Sequence, residues 1–177
     1  MIELKLLNDI SQLSDYSIRV FEPIVFDDVR GNLTVRAEDK LPGNFPFAEH
    51  FSYKLTASHK NVARGLHWQK NTAPIIKYID LKKGSLYTIL LDTRTNKGVI
   101  FKWTSEMAKI IKVSQYHAHG FYCLENSEFS YICKGKYSTQ DETTFNIFPS
   151  VCKIMGLNKP LISEKDSVFP ELPVKII

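Results

Sequence analysis

Short β-type runs recur along most of this chain, each bounded by turn residues, and that rhythm constrains the fold more than any other feature. The candidate strands are Ser17–Phe21, Leu33–Arg36, Phe51–Ser58, Val62–Trp68, Ile75–Leu81, Ser85–Leu91, Val99–Thr104, Ala108–Val113, His119–Leu124 and Glu128–Cys133. β-Branched and aromatic side chains fill them, as a pleated, half-buried surface favours. Lys83-Gly84 and Glu125-Asn126-Ser127 read as tight turns between neighbours, and Asn96-Lys97-Gly98 and Pro42-Gly43-Asn44 as loops. Strands at this spacing predict an all-β sandwich or jelly-roll barrel. Helical signal is confined to Asp9–Leu13 and Val151–Leu157, each a short peripheral helix. The tail after Pro160 carries Pro170 and Pro173, so it is expected to be extended and packed on the barrel surface.

The chain has 177 residues, enough for one domain with a real core. The expected division is a single domain over 1–177, with the barrel core in about 21–150 and a C-terminal extension in 151–177. The formal net charge of +4 suits an anionic ligand, or simply reflects a lysine-rich surface. The basic residues are scattered, with small clusters only at Lys82-Lys83 and Lys134/Lys136, so no nucleic-acid partner is expected. Cys123, Cys133 and Cys152 make an odd number without metal-ligand spacing, which argues against a disulfide scaffold and a zinc site. Met1–Ile10 carries Glu3, Lys5 and Asp9, unlike a leader peptide, and the apolar runs are too short to span a bilayer. A cytoplasmic location with reduced thiols and no membrane partner is therefore expected.

Four places in the strands carry polar groups that a core does not need. His67 lies mid-strand in Arg64-Gly65-Leu66-His67-Trp68-Gln69, and small same-phase neighbours leave space beside its imidazole. It is either a hydrogen-bonded structural residue or a working group. His117 and His119 are spaced so that both point to one face, the geometry of a metal pair. The first strand offers His67 and Gln69 rather than two histidines, and no suitably placed Glu follows, so no metal is expected. Lys77 shares its phase with Ile75, Ile79 and Leu81, and either snorkels to the rim or serves a buried anion. Tyr131 shares its phase with Phe129 and Cys133, where core packing alone would explain it.

Taken in order, these segments resemble the dTDP-4-dehydrorhamnose 3,5-epimerase family of cupins. The resemblance runs through Phe26-Asp27-Asp28-Val29-Arg30-Gly31, then Lys60–Gln69, Lys77, and Gly84 to Asp92-Thr93-Arg94. Ala118-His119-Gly120-Phe121, Glu128–Cys133, Tyr137 and Ile162-Ser163-Glu164-Lys165-Asp166 complete it, so it covers roughly Phe21 to Leu172. It implies a cupin jelly-roll barrel with no cofactor. The implied activity is epimerisation at C3, C5 or both of a nucleotide-diphosphate 4-keto-6-deoxy sugar. His67 would be the general base and Asp166 its orienting partner, with Lys77 at the ketone oxygen and Tyr131 as general acid. Arg64, and Arg30 from the partner of a homodimer, would contact the diphosphate. Tyr137 would lie near the nucleotide or sugar, and His119 and Gln69 would line the pocket.

These residue types suit that chemistry. A ketone acidifies the adjacent C–H bonds, and imidazole titrates near neutrality, as a base for this step must. A carboxylate on the other ring nitrogen fixes the tautomer. An ammonium stabilises charge on the enolate oxygen, and planar guanidinium forks fit a diphosphate. The recognition positions depart from the family pattern. Ser52-Tyr53-Lys54 replaces the usual Gln-x-Asn, and Lys54 is either an added phosphate contact or a surface lysine. Asn32-Leu33-Thr34-Val35 replaces an aromatic and acidic run, and Thr88 replaces an acid, which should weaken carboxylate support of His119. Val113-Ser114 replaces Ile-Pro, and Gln115-Tyr116-His117 leads into Ala118-His119, where the family usually has Gly-Phe-Ala-His. A relative acting on another sugar nucleotide is therefore expected, with a ketoisomerase of the same fold and a non-catalytic sugar-nucleotide-binding cupin as the other readings. Arg64 and His67 are three apart, so a regular strand would send them to opposite faces; a bulge at Gly65 is predicted.

Overall fold

The computed structural model describes residues 1–16, 18–21, 24–28, 31–35, 51–70 and 73–177. Among them the strands run β1 (Ile2–Leu7), β2 (Arg19–Phe21), β3 (Ile24–Asp28), β4 (Gly31–Val35), β5 (Phe51–Ser58), β6 (Ala63–Gln69) and β7 (Ile76–Lys83). They continue as β8 (Ser85–Asp92), β9 (Lys97–Thr104), β10 (Ile110–Val113), β11 (His117–Cys123), β12 (Ser127–Lys134), β13 (Glu142–Thr144) and β14 (Val174–Ile176). Two short α-helices, α1 (Phe148–Met155) and α2 (Glu164–Ser167), follow β13, and a 3-10 helix covers Ile10–Tyr16.

The strands form a seven-stranded sheet, β13-β6-β11-β8-β9-β1-β14, and a five-stranded sheet, β2-β10-β7-β12-β5. The seven-stranded sheet is buried on both faces. Leu86, Leu90, Val99, Phe101 and Phe121 meet Ile79, Leu81, Ile111 and Phe129 of the other sheet. On its outer face Leu66, Ile89, Leu91, Ile100 and Tyr122 pack with Phe148, Val151 and Cys152 of α1. Double burial explains why β8 reads Ile89-Leu90-Leu91 without a polar break. The chain passes repeatedly between the sheets, as from β5 to β6, β6 to β7 and β7 to β8. The site cavity lies between β6 and β11 on one wall and β7, β12 and β5 on the other.

Each candidate strand overlaps an observed one, and both expected helices form. Asn96-Lys97-Gly98 is a loop only at Asn96, because β9 starts at Lys97. β1 and β14 lie outside the span expected to hold the barrel core, yet both join the seven-stranded sheet. β1 runs parallel to β9 on one side and to β14 on the other, so the tail ends as a paired strand rather than a surface wrap. β3 and β4 form a hairpin that, among the described residues, pairs with neither large sheet. No helix is long and apolar enough to cross a membrane among the described residues.

Candidate active site

The irregularity predicted at Gly65 is present and decides the site. His67 lies opposite His119, and Arg64 opposite Phe121, so the β6–β11 register shifts by one residue between them. Gly65 has φ +93°, a region L side chains rarely adopt. A Cβ there would sit 2.7 Å from the His119 carbonyl oxygen and 2.9 Å from the His67 nitrogen. The extra residue turns Leu66 into the outer core while Arg64 and His67 both line the cavity.

His67 Nε2 meets Asp166 Oδ1 at 2.7 Å across a sequence separation of 99 residues. α2 makes that reach possible. Ser163 caps it, its Oγ accepting from the Asp166 N–H at 3.2 Å, and Thr144 Oγ1 donates to the carboxylate at 3.4 Å. Asp166 is only 3 % exposed. Burial pushes its carboxyl up, but hydrogen bonds and charge from His67, with help from Ser163 and the Gly65 backbone, leave it below the ordinary aspartate range. Asp166 thus stays ionised, accepts from Nε2–H, and leaves Nδ1 as the basic nitrogen of His67.

Lys77 and Tyr131 project from the opposite sheet. Both line, with His67, a cavity lobe of about 550 Å³ and an adjoining one of about 570 Å³. Lys77 Nζ lies 3.4 Å from the His67 carbonyl oxygen. Burial, then the charge of Lys54, pulls its ammonium below the ordinary lysine range, against the opposing pull of Cys133 and Glu142. The Tyr131 phenol is pushed up by burial and so keeps its proton at neutrality. Its hydroxyl has no hydrogen-bond partner among the described residues.

The remaining expected site residues divide. Arg64 is exposed, lines the second lobe and donates from Nε to Ser58 Oγ at 3.0 Å. His119 is buried, stacks on Phe129 with ring planes 4° apart, and meets Thr88 Oγ1 at 3.0 Å through Nε2. Burial, then Lys77 and His67, holds it well below the ordinary histidine range, so it is neutral. Lys54 Nζ lies 5.9 Å from the Tyr131 ring centre and 5.5 Å from that of Tyr137, at the mouth of the first lobe. Gln69 reaches this lobe, but its amide is engaged by the backbone: it donates to Ala73 and Lys136 carbonyls and accepts from Ser138 N–H. Its visible work is to tie two loops together. Arg30 lies outside the described residues.

Two site groups escape sequence reasoning. Glu142 lines the first lobe, accepts from Tyr137 at 2.8 Å and is paired with Lys165. Burial raises its carboxyl, but Lys165, Tyr137 and His67 leave it below the ordinary glutamate range. It sits in Gln140-Asp141-Glu142, an unremarkable polar run, and only pairing of β13 with β6 brings it to the cavity. The second is His117, which the histidine pair had flagged only as a metal candidate; it is buried and lines the first lobe.

A two-sheet barrel holding a histidine–carboxylate pair across from a lysine and a tyrosine defines a cupin-type protein. The chain belongs to the dTDP-4-dehydrorhamnose 3,5-epimerase family, whose sequence profile matches residues 13–173. A dTDP-4-dehydrorhamnose 3,5-epimerase of Mycobacterium tuberculosis (strain H37Rv) is 32% identical over 95 residues, 50% of this chain and 47% of that protein. The chain thus matches about half the length of that relative. The Shigella flexneri enzyme of the same name is 27% identical over 163 residues, covering 84% of this chain and 87% of its own. The crystal structure of dTDP-4-dehydrorhamnose 3,5-epimerase from Elizabethkingia anophelis NUHP1 superposes with a TM-score of 0.69 at 27% identity, covering 88% of this chain and 91% of that one.

Proposed function

We propose that the protein is an isomerase that epimerises C3, C5 or both of a nucleotide-diphosphate 4-keto-6-deoxy sugar. In this reading His67 Nδ1 takes the proton from the carbon beside the ketone. The C–H electron pair becomes a C=C bond, and the carbonyl pair moves onto O4, where the Lys77 ammonium faces the charge. The Tyr131 phenol returns a proton to the opposite face of that carbon as the carbonyl re-forms, and solvent then reprotonates the phenolate and takes the proton from the His67 imidazolium. Atoms and electrons balance without an oxidant or reductant. The observation that carries the proposal is that base and acid stand on opposite walls of one cavity, which inversion requires. Arg64, and Lys54 at the mouth, would hold the diphosphate.

Incubation with 4-keto-6-deoxy sugar nucleotides in deuterated water tests this. Deuterium at C3 and C5 is expected from a double epimerase and at one carbon from a single one. Transfer of the keto group from C4 to C3 would instead identify a ketoisomerase, and binding without label a non-catalytic module. His67→Asn should retain binding and lose exchange by roughly 10²–10⁴-fold; full exchange in that variant removes His67 as the base.

The reading extends to a cytoplasmic homodimer of one cupin domain spanning 1–177, with Arg30 reaching the partner's diphosphate. Support comes from the β3–β4 hairpin, which pairs only with itself among the described residues, and from Tyr53 and Leu55, exposed on the edge strand β5. Light scattering on the eluting protein should give twice the 20.3 kDa chain mass; a monomer that turns over at full rate would exclude action in trans.

A further inference from the structure

His117 is 7 % exposed, yet one of its ring nitrogens has no hydrogen-bond partner among the described residues. Nδ1 meets Ser114 Oγ at 2.8 Å. Ser114 Oγ also accepts from the Tyr116 N–H at 3.3 Å, so its own proton is available to Nδ1. When Ser114 donates to Nδ1, the ring proton lies on Nε2. Nε2 has no partner among the described residues, while no fully buried side-chain nitrogen or oxygen among them lacks one. An Nε2 without a partner among the described residues is therefore not fully buried, and the lobe that His117 lines together with His67, Lys77 and Tyr131 is the space open to it.

The backbone that carries the ring is held from several sides. The His117 N–H donates to the Ser114 carbonyl at 3.1 Å, closing a turn. Trp68 Nε1 donates to the Gln115 carbonyl at 2.8 Å, and Thr93 N–H and Oγ1 both donate to the Tyr116 carbonyl. Burial keeps the imidazole below the ordinary histidine range, with Asp92 opposing and Arg94 assisting, so a neutral donor faces the lobe. A phenyl ring, which the family pattern has at this position, would offer only apolar contact. A fixed N–H calls for an acceptor oxygen on the ligand.

Which oxygen follows from the ketone. Lys77, in the same lobe, is assigned to O4. Of the carbons flanking C4 in a 6-deoxy sugar, C3 carries a hydroxyl, whereas C5 carries a methyl group and the ring oxygen, a weaker acceptor than a hydroxyl. We propose that His117 Nε2–H donates to the C3 hydroxyl oxygen of the 4-keto sugar and, by holding that carbon toward His67, determines whether C3 is exchanged. This rests on the epimerase reading above. Alignment of the C3–H bond with the base is the step that such a contact would favour, and the C5 step should be largely indifferent to it.

The test compares the wild type with His117→Phe and His117→Gln, reading deuterium at C3 and C5 separately by NMR. In His117→Phe the C3 rate should fall about tenfold to a hundredfold relative to C5. His117→Gln, whose amide can replace the donor, should recover most of it. A C3:C5 ratio unchanged in a folded His117→Phe variant overturns the proposal, as does wild-type exchange at C5 alone. Where the phenylalanine variant fails to fold, wild-type binding decides. A 4-hydroxy-6-deoxy sugar nucleotide should bind at least about tenfold more tightly than its 3-deoxy counterpart, and equal affinity overturns the proposal. A wild type that exchanges at neither carbon fails earlier, sinking the epimerase reading and this one with it.

Discussion

Asp166 and Thr88 illustrate two ways a buried polar side chain can hold a histidine. Asp166 is ionised and accepts from His67, which would suit the ring's proposed role of acquiring a proton and being stabilised as a cation. Thr88 is neutral and meets His119, a ring that burial keeps uncharged. Its hydroxyl also donates to the Gly120 carbonyl at 3.3 Å, so its oxygen lone pair is left to accept from Nε2–H. The change from acid to threonine therefore removes a charge from beside His119 without removing its hydrogen-bond support. Thr88→Val should leave that N–H buried and unpaired, lowering stability by about 1–3 kcal/mol in urea titration. A loss within experimental error would mean that Thr88 is not the ring's partner.

At the scale of elements, one glycine in β6 governs which side chains share the cavity. Without the bulge, the alternation of a strand would put Arg64 and His67 on opposite faces. Gly65→Ala places a methyl group against the carbonyl of His119 and strains a positive φ, so β6 must move. The expected cost is about 2–4 kcal/mol in thermal or urea unfolding, with proton exchange lost beyond what the unfolded fraction explains. An alanine variant with wild-type stability and exchange would show that the bulge tolerates a side chain. The bulge itself was legible, because one cavity, two residues three apart and a glycine between them left few alternatives. The pairing of β13 with β6 was not, since Glu142–Thr144 is three residues long and carries no alternation that marks a strand.

For the whole molecule, placing a neutral histidine between two sheets ties stability to pH. Burial holds the folded pKa of His119 well below the ordinary histidine value of about 6.5. Between those two values the unfolded chain binds a proton that the folded chain does not, so stability is full above about 6.5 and is lost as pH falls. The slope approaches about 1.4 kcal/mol per pH unit for one such group. Asp166 acts in a separate, more acidic window: its folded pKa lies below the usual 3.8, and its contribution disappears only as pH falls through that range. The urea midpoint should therefore drop between pH 7.5 and 5.5, and His119→Phe should reduce that drop, leaving the smaller part that belongs to His117, which burial also holds below the ordinary histidine range. An identical slope in both proteins would assign the acid sensitivity elsewhere.

Local pattern was enough to determine the all-β class, the strand positions and the small set of polar side chains that a core has no use for. It worked because strand alternation and turn chemistry act over a few residues. The pairing of β1 with β14, the reach of Asp166 to His67, and the presence of Glu142 and His117 in one cavity depend on contacts between distant segments. Such contacts leave no local period in the chain, and only packing the two sheets together brings them within bonding distance.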